Sequence, residues 1–403
     1  MNKNKQLKSK RKGSAMALML IGLIVLLLMG VGLLSMGLHS RIHALRDASD
    51  IAARCAADAG LTKAVFEMNE MLKVKPWSDS NLPQVTHETL PDCDSTFSYT
   101  TSVDGSGVYS IEVTGNYGGA QKKVSSTLRL KSVFDYGIFV NNVMVLKNGT
   151  TIDGYNYDAG ETLKIGTNST GGAAITAKLG VTIDGDVVVG VDANPDDVVD
   201  NIHEAVITGN VYPMPQTQEL PSILVPQYLK DLPSQGILSS STTINGATKY
   251  DSVTLGTGDI ATIDGDVTLY VIGDLILDNS AQMNIVDAGI NPNASLTVYL
   301  GGKLVSKNGG MINNTSLDAR KLKIFALDTC TNMDFMNSGV FYGAIYAPNA
   351  VVHLYNSFEF FGSVICNSFY QDVKANFHYD AALRDGTTNE EGMTFVVERW
   401  SEE

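Results

Sequence analysis

Twenty-five consecutive residues, Ser14 to Leu38, carry no charge, and six bases stand ahead of them: Lys3, Lys5, Lys8, Lys10, Arg11 and Lys12. As a helix rising about 1.5 Å per residue, this run is roughly 37 Å long, enough to cross a hydrocarbon core of roughly 30 Å. The positive-inside rule keeps the basic leader cytoplasmic and places residues 39–403 outside as a single-pass protein. A cleaved secretory signal is the competing reading, with an apolar stretch of roughly 7–15 residues before a small-residue cut site. Here the run is longer, and His39-Ser40-Arg41-Ile42-His43 follows it with no A-x-A.

The apolar pattern continues past the run. Ile42, Leu45, Ile51, Ala52, Cys55, Ala56, Ala59, Val65, Phe66, Met68 and Leu72 recur at threes and fours, the spacing of one helical face. One helix is expected from about Ala15 to Lys73, ended by Pro76. A basic leader, then Gly13-Ser14, then a long apolar helix with an Ala-rich amphipathic second half resembles a type IV pilin-like N-terminus, in particular the PilX-type minor pilins. The resemblance covers about residues 8–72. It implies cleavage by a prepilin peptidase between Gly13 and Ser14, and assembly partners from a type IV pilus or type II secretion-like system. The major subunits of that family carry a glutamate at the fifth mature position, where this chain has Leu18, so the resemblance is to accessory members. A plain single-span anchor is the alternative.

The first thirteen residues hold no acid, so without the leader the chain has 23 bases against 43 acids, a net −20. Such a surface repels nucleic acid and anionic lipid. Cys55, Cys93, Cys330 and Cys366 form no C-x-x-C. Outside the cytoplasm they allow up to two disulfides in one of three connectivities, or they are small buried hydrophobes.

Residues 74–94 carry three prolines and read as a linker. Thr96–Val103, Val108–Val113 and Lys123–Leu130 then alternate with period two between Gly- and Asn-containing turns, which predicts a three-stranded antiparallel meander within 74–133. From 134 to 385 the pattern is short β-branched runs closed by Gly, Asn or Asp. Thr151-Ile152-Asp153-Gly154 returns at 182–185 and 262–265, Tyr270-Val271-Ile272-Gly273 has a partner from Tyr299, and Phe341-Tyr342-Gly343 returns from Phe360. Loose repeats of roughly 20–30 residues signal a stacked solenoid. We expect a mainly β chain: the long helix, the meander, a right-handed parallel β-helix over 134–385 with Ile272 and Val298 inward, and a tail (386–403) whose strand returns to the meander. A β-sandwich is the alternative. The Pro-rich segment 212–236 is expected to be a loop laid over one face. Tyr346-Ala347-Pro348-Asn349 and His378-Tyr379-Asp380 resemble an uncharacterised β-helix family found on PilX-like N-termini; that resemblance implies a fold and no activity.

Candidate chemistry is sparse. The pairs Asp184/Asp186 and Asp264/Asp266 are candidate Ca²⁺ ligands, against a reading as turn residues that accept backbone N–H bonds. Asp192, Asp196, Asp197 and Asp200 form an acidic loop without D-x-D-x-D-G spacing. His378 beside Asp380 suggests acid–base work but reads better as structural. Residues 134–386 contain two arginines, Arg320 and Arg384, and the clusters Lys303/Lys307 and Arg320-Lys321-Leu322-Lys323, the last read as a solvated corner. No hydrolase, Walker or dinucleotide motif is present. A structural or adhesive, non-enzymatic envelope protein is therefore expected; the alternative is a tethered polysaccharide lyase or glycosidase. The aromatics crowded into 341–379 are expected to cap the solenoid's end, with glycan binding as their sharper alternative.

Overall fold

The computed structural model describes residues 14–156, 162–201, 205–336, 338–372 and 374–402. Gly13 and the basic leader lie outside the described residues. The chain divides into two compact units: residues up to Met68 with Ser78–Arg129 and the stretch from Val397, and Asn69–Trp77 with Leu130–Val396.

In the first unit a single helix, α1 (Ser14–Leu72), runs for 59 residues. Its first half is apolar on all sides and exposed, Met19 at 81% and Leu33 at 71%. It is long and apolar enough to cross a membrane. Its second half buries Ala53, Ala56, Ala57 and Ala64 against an antiparallel sheet. The small residues bring the backbones close: a Cβ added at Gly115 would lie 2.1 Å from the Ala53 carbonyl oxygen, and one at Gly60 would lie 2.7 Å from Val113. Charged groups flank the contact. Lys63 Nζ donates to Glu88 at 2.5 and 2.6 Å, and the Tyr99 hydroxyl donates to Glu67 at 2.5 Å.

The sheet has five strands: the three expected of the meander, the tail strand expected to return to it, and one more. Gln84–Thr89, inside the expected linker, joins one edge, and Met393–Glu402 returns to pair beside Ala120–Ser132 at the other. Ser126 Oγ donates to the Arg399 carbonyl and Ser125 meets Ser401 at 2.7 Å. The edge strand Gln84–Thr89 escapes detection because it buries almost nothing and so lacks apolar alternation.

The second unit is a parallel stack with three short strands per turn, so that each strand pairs with the one three places on. Ser252–Leu255 pairs with Leu275–Leu277, Ile260–Ile263 with Gln282–Ile285, and Asp266–Val271 with Ser295–Leu300. Inward columns of Val, Leu, Ile and Met are fully buried, Val298 among them, and fill the core with aliphatic side chains stacked on their like. Ile272 departs from expectation. It follows the last residue of its strand at a corner and is 43% exposed.

The turns are not stacked in chain order. The chain enters mid-stack at Ile138–Val140, climbs through Lys164–Thr167 and Asp186–Val189, and reaches one end at Val211–Pro213. It then crosses to the far end, restarts at Ile237–Leu238 and stacks back through Ser295–Leu300 and Leu322–Ala326 to the long strands Val340–Leu354 and Glu359–Gln371. There Glu359–Gln371 pairs with Ile138–Val140 and Met144–Leu146, and Asn376–Asp380 pairs with Thr151–Tyr155, closing the two arms.

The crossing is the Pro-rich segment, laid over one face as expected. Nine rungs at about 4.8 Å separate its ends, roughly 43 Å, well within the reach of 25 residues. Its path is traced by Asn168 Nδ2 donating to the Gln218 carbonyl (2.8 Å), the Tyr346 hydroxyl to the Pro221 carbonyl (2.8 Å), and Lys249 Nζ to the Lys230 carbonyl (2.6 Å). Tyr212 and Pro213 themselves pair, contrary to expectation, but on a terminal rung, where proline costs no ladder bond.

Candidate functional site

The aromatic cluster 341–379 does not cap an end. It lies in the middle of the stack, paired on both sides, because the last turns in the chain dock on the first. Inside the strands, Phe341, Phe360 and Phe377 stack at 4.9 and 5.0 Å and are buried. Outside, Tyr342, Phe361 and His378 stack at 4.4 Å each, with Tyr155 edge-on to Phe361 at 5.2 Å.

His378 ends the outer column between two carboxylates: Nδ1 lies 2.5 Å from Asp153 and Nε2 lies 2.9 Å from Glu359. Burial pushes its pKa down, the hydrogen bonds from Asp153 and Glu359 push it up, and the net shift is upward. Both ring nitrogens are engaged, so the imidazole is placed as a bridge. Tyr379 is buried, its hydroxyl donating to the Phe134 carbonyl at 2.7 Å. Asp380 is fully buried; it accepts from Ala382 N (3.1 Å), Asn156 Nδ2 (3.2 Å) and Ala319 N (3.4 Å). Tyr346 is buried under the crossing, Ala347 is buried in the aliphatic interior of the stack and Pro348 is buried, while Asn349 is exposed and its amide donates to Asp328 at 3.1 Å. These motif residues hold turns and arms together.

The D-G-D pairs sit at corners of different turns. Asp184 accepts from the Thr208 hydroxyl (2.7 Å), Asp186 from Asn210 N (2.8 Å), Asp264 from the Asn291 amide (2.8 Å) and Asp266 from the Ser295 hydroxyl (2.5 Å), each one turn on. A Cβ at Gly185 would stand 2.5 Å from the Leu163 carbonyl oxygen, so the glycine permits close stacking. Among the described residues no group of three or more His, Cys, Asp or Glu could hold a metal ion. The four cysteines are free, Cys55 and Cys93 exposed, Cys330 and Cys366 buried; burial pushes the Cys330 thiol up to about 11.

A groove of about 830 Å³ lies elsewhere, over Asp266–Val271, Ser295–Leu300 and Leu322–Ala326. Its floor is the outward column Thr268, Thr297 and Lys323 on successive rungs. One wall is Pro226 and Tyr228 of the crossing, the other Asn389, Glu390 and Glu391, with Lys75 alongside. Tyr299 is buried at the base; burial and then the carboxyl of Glu391 raise its pKa. Burial also raises Glu391 and lowers Lys75, which face each other.

The Arg320–Lys323 run borders this groove: Ala319–Lys321 turn the corner ahead of Leu322–Ala326 with Arg320 exposed to solvent as expected, whereas Lys323 is covered. Arg320 grips Asp318 through Nε and Nη2, both at 2.9 Å, Lys321 Nζ donates to the Pro292 carbonyl at 3.0 Å, and Lys323, with a side chain 12% exposed, pairs with Glu390. Lys303 and Lys307 instead pair with Asp274 (3.8 Å) and Asp278 (2.9 Å) one turn below. The groove is missed in the sequence because its walls come from residues far apart; its floor was in view as the 29-residue repeat that relates Thr268 to Thr297.

A protein-family model described as a domain of unknown function (DUF7305) matches residues 227–386, which include both motif stretches but less than half of the chain. No curated protein matches. Among solved structures, the competence-associated pilin ComZ from Thermus thermophilus aligns at 13% identity over 88% of this chain and 98% of its own, with a TM-score of 0.25. An ice binding protein from an Antarctic bacterium, Flavobacteriaceae, aligns at 11% identity over 60% and 79%, with a TM-score of 0.20. At those scores neither alignment carries an argument about this chain.

Proposed function

We propose that the protein is a membrane-anchored, pilin-like accessory component of the cell envelope, displaying a right-handed parallel β-helix outside the cytoplasm in a structural or adhesive role. The observation that carries this reading is the division of α1: an uncharged, fully exposed first half suited to lipid, and an Ala-rich second half sealed against an antiparallel sheet. The PilX-type resemblance of residues 8–72 adds processing between Gly13 and Ser14, and partners among pilus or secretion assembly proteins.

A non-catalytic role is part of the proposal. It is supported by cations and carboxylates already bonded to protein partners, and by a His378 whose ring nitrogens are both taken up in bridging. No resident cofactor is assigned. The test is topology and company together. Protease added outside spheroplasts should digest residues beyond 39 and spare the leader of any unprocessed precursor, and cross-linked membranes should yield assembly proteins with the chain. Protection of the whole chain from external protease overturns the proposal.

A further inference from the structure

We propose that the groove over Thr268 and Thr297 binds an uncharged oligosaccharide. Its volume, about 830 Å³, falls in the range typical of ligand sites, roughly 300–1,000 Å³. The floor is built from half-buried hydroxyls on adjacent rungs, Thr268 and Thr297, which among the described residues have no protein partner. A hydroxyl both donates and accepts, as does each hydroxyl of a sugar, so a row of them suits a chain of sugars. Tyr228 lines the wall at 49% exposure, an aromatic ring of the kind that packs against the C–H side of a pyranose.

Charge decides against the obvious competitor, an anionic polymer. Four cations border the groove, and each is already held by a protein oxygen: Lys75 by the Thr388 carbonyl, Arg320 by Asp318, Lys321 by the Pro292 carbonyl and Lys323 by Glu390. Freeing one to meet a sulfate or uronate would strand its present partner. Four carboxylates, Asp266, Asp318, Glu390 and Glu391, also border the groove, and the chain beyond its leader carries −20, so an anionic polymer meets repulsion. An apolar ligand would bury the threonine hydroxyls unpaired. The binding goes beyond the pilin-like reading, and a failure of the anchor's processing leaves it standing.

The test uses the full-length protein in a detergent without a sugar headgroup, titrated calorimetrically with gluco-, manno- and chito-oligosaccharides and with oligogalacturonate and heparin fragments. At least one neutral oligosaccharide should bind. Thr268→Val/Thr297→Val, which preserves shape and β-branching, should weaken it by about tenfold or more, and so should Tyr228→Ala at the exposed wall, with melting curves unchanged. The proposal is overturned if the neutral panel is silent at millimolar concentration, if an anionic fragment binds in its place, or if both folded variants bind like the wild type.

Discussion

His378 Nδ1 and Asp153 Oδ1 lie 2.5 Å apart on adjacent rungs although 225 residues separate them in the chain. The pair belongs to the seam where the arm that ends at Asn376–Asp380 meets the arm that starts the stack. Lys147 and Asp372 bridge the same seam at 2.6 Å. A stack closed this way has no cohesive order of turns along the chain, and its middle depends on contacts of long sequence separation, which are slow to form.

The seam should be pH-sensitive. His378 is raised above its unfolded value, so its contribution is fully present below about pH 6.5 and is lost as pH rises through the higher folded value. His378→Gln should therefore destabilise the stack by about 1 kcal/mol in mildly acidic buffer, and the deficit should shrink as the pH is raised past neutrality. Thermal melts of both proteins across this range check it; a deficit that grows with pH contradicts it.

Inward and corner positions should respond very differently to charge. Val298 is fully buried in the aliphatic column and Ile272 is 43% exposed. Val298→Asp should cost several kcal/mol by burying an unpaired carboxylate, whereas Ile272→Asp should stay within about 1 kcal/mol. Urea unfolding of the two variants separates them.

The helix–sheet contact of the first unit has no room at Gly115. The added methyl of Gly115→Ala would fall on the backbone of Ala53 and Ala57, which side-chain rearrangement cannot relieve, so a loss of roughly 1–3 kcal/mol is expected. Faster hydrogen exchange in residues 53–64 and in Tyr109–Tyr117 would report it; unchanged protection there would refute the close packing.

The long helix was legible because a single period of threes and fours persists from Ile42 to Leu72, and the stacked parallel strands were legible because Gly and Asn close each short run. The order of the stack was not. Thr151-Ile152-Asp153-Gly154 and Thr182-Ile183-Asp184-Gly185 are nearly the same rung in sequence, and nothing local tells Thr151–Tyr155 that its other neighbour will be Asn376–Asp380. For the same reason the phenylalanines at 341, 360 and 377 read as an end cap and proved to be the middle. The groove shared that fate: Thr268 and Thr297 sat in the visible repeat, while Tyr228, Glu391 and Lys75 reach it from segments with no repeat at all.

The mature N-terminus of the protein, purified from native membranes and read by mass spectrometry, tests the pilin-like anchor most directly. Processing as a pilin-like protein predicts a chain that begins at Ser14, with Gly13 and all six leader bases removed. A chain that retains Met1, or one cut beyond Leu38, would contradict it.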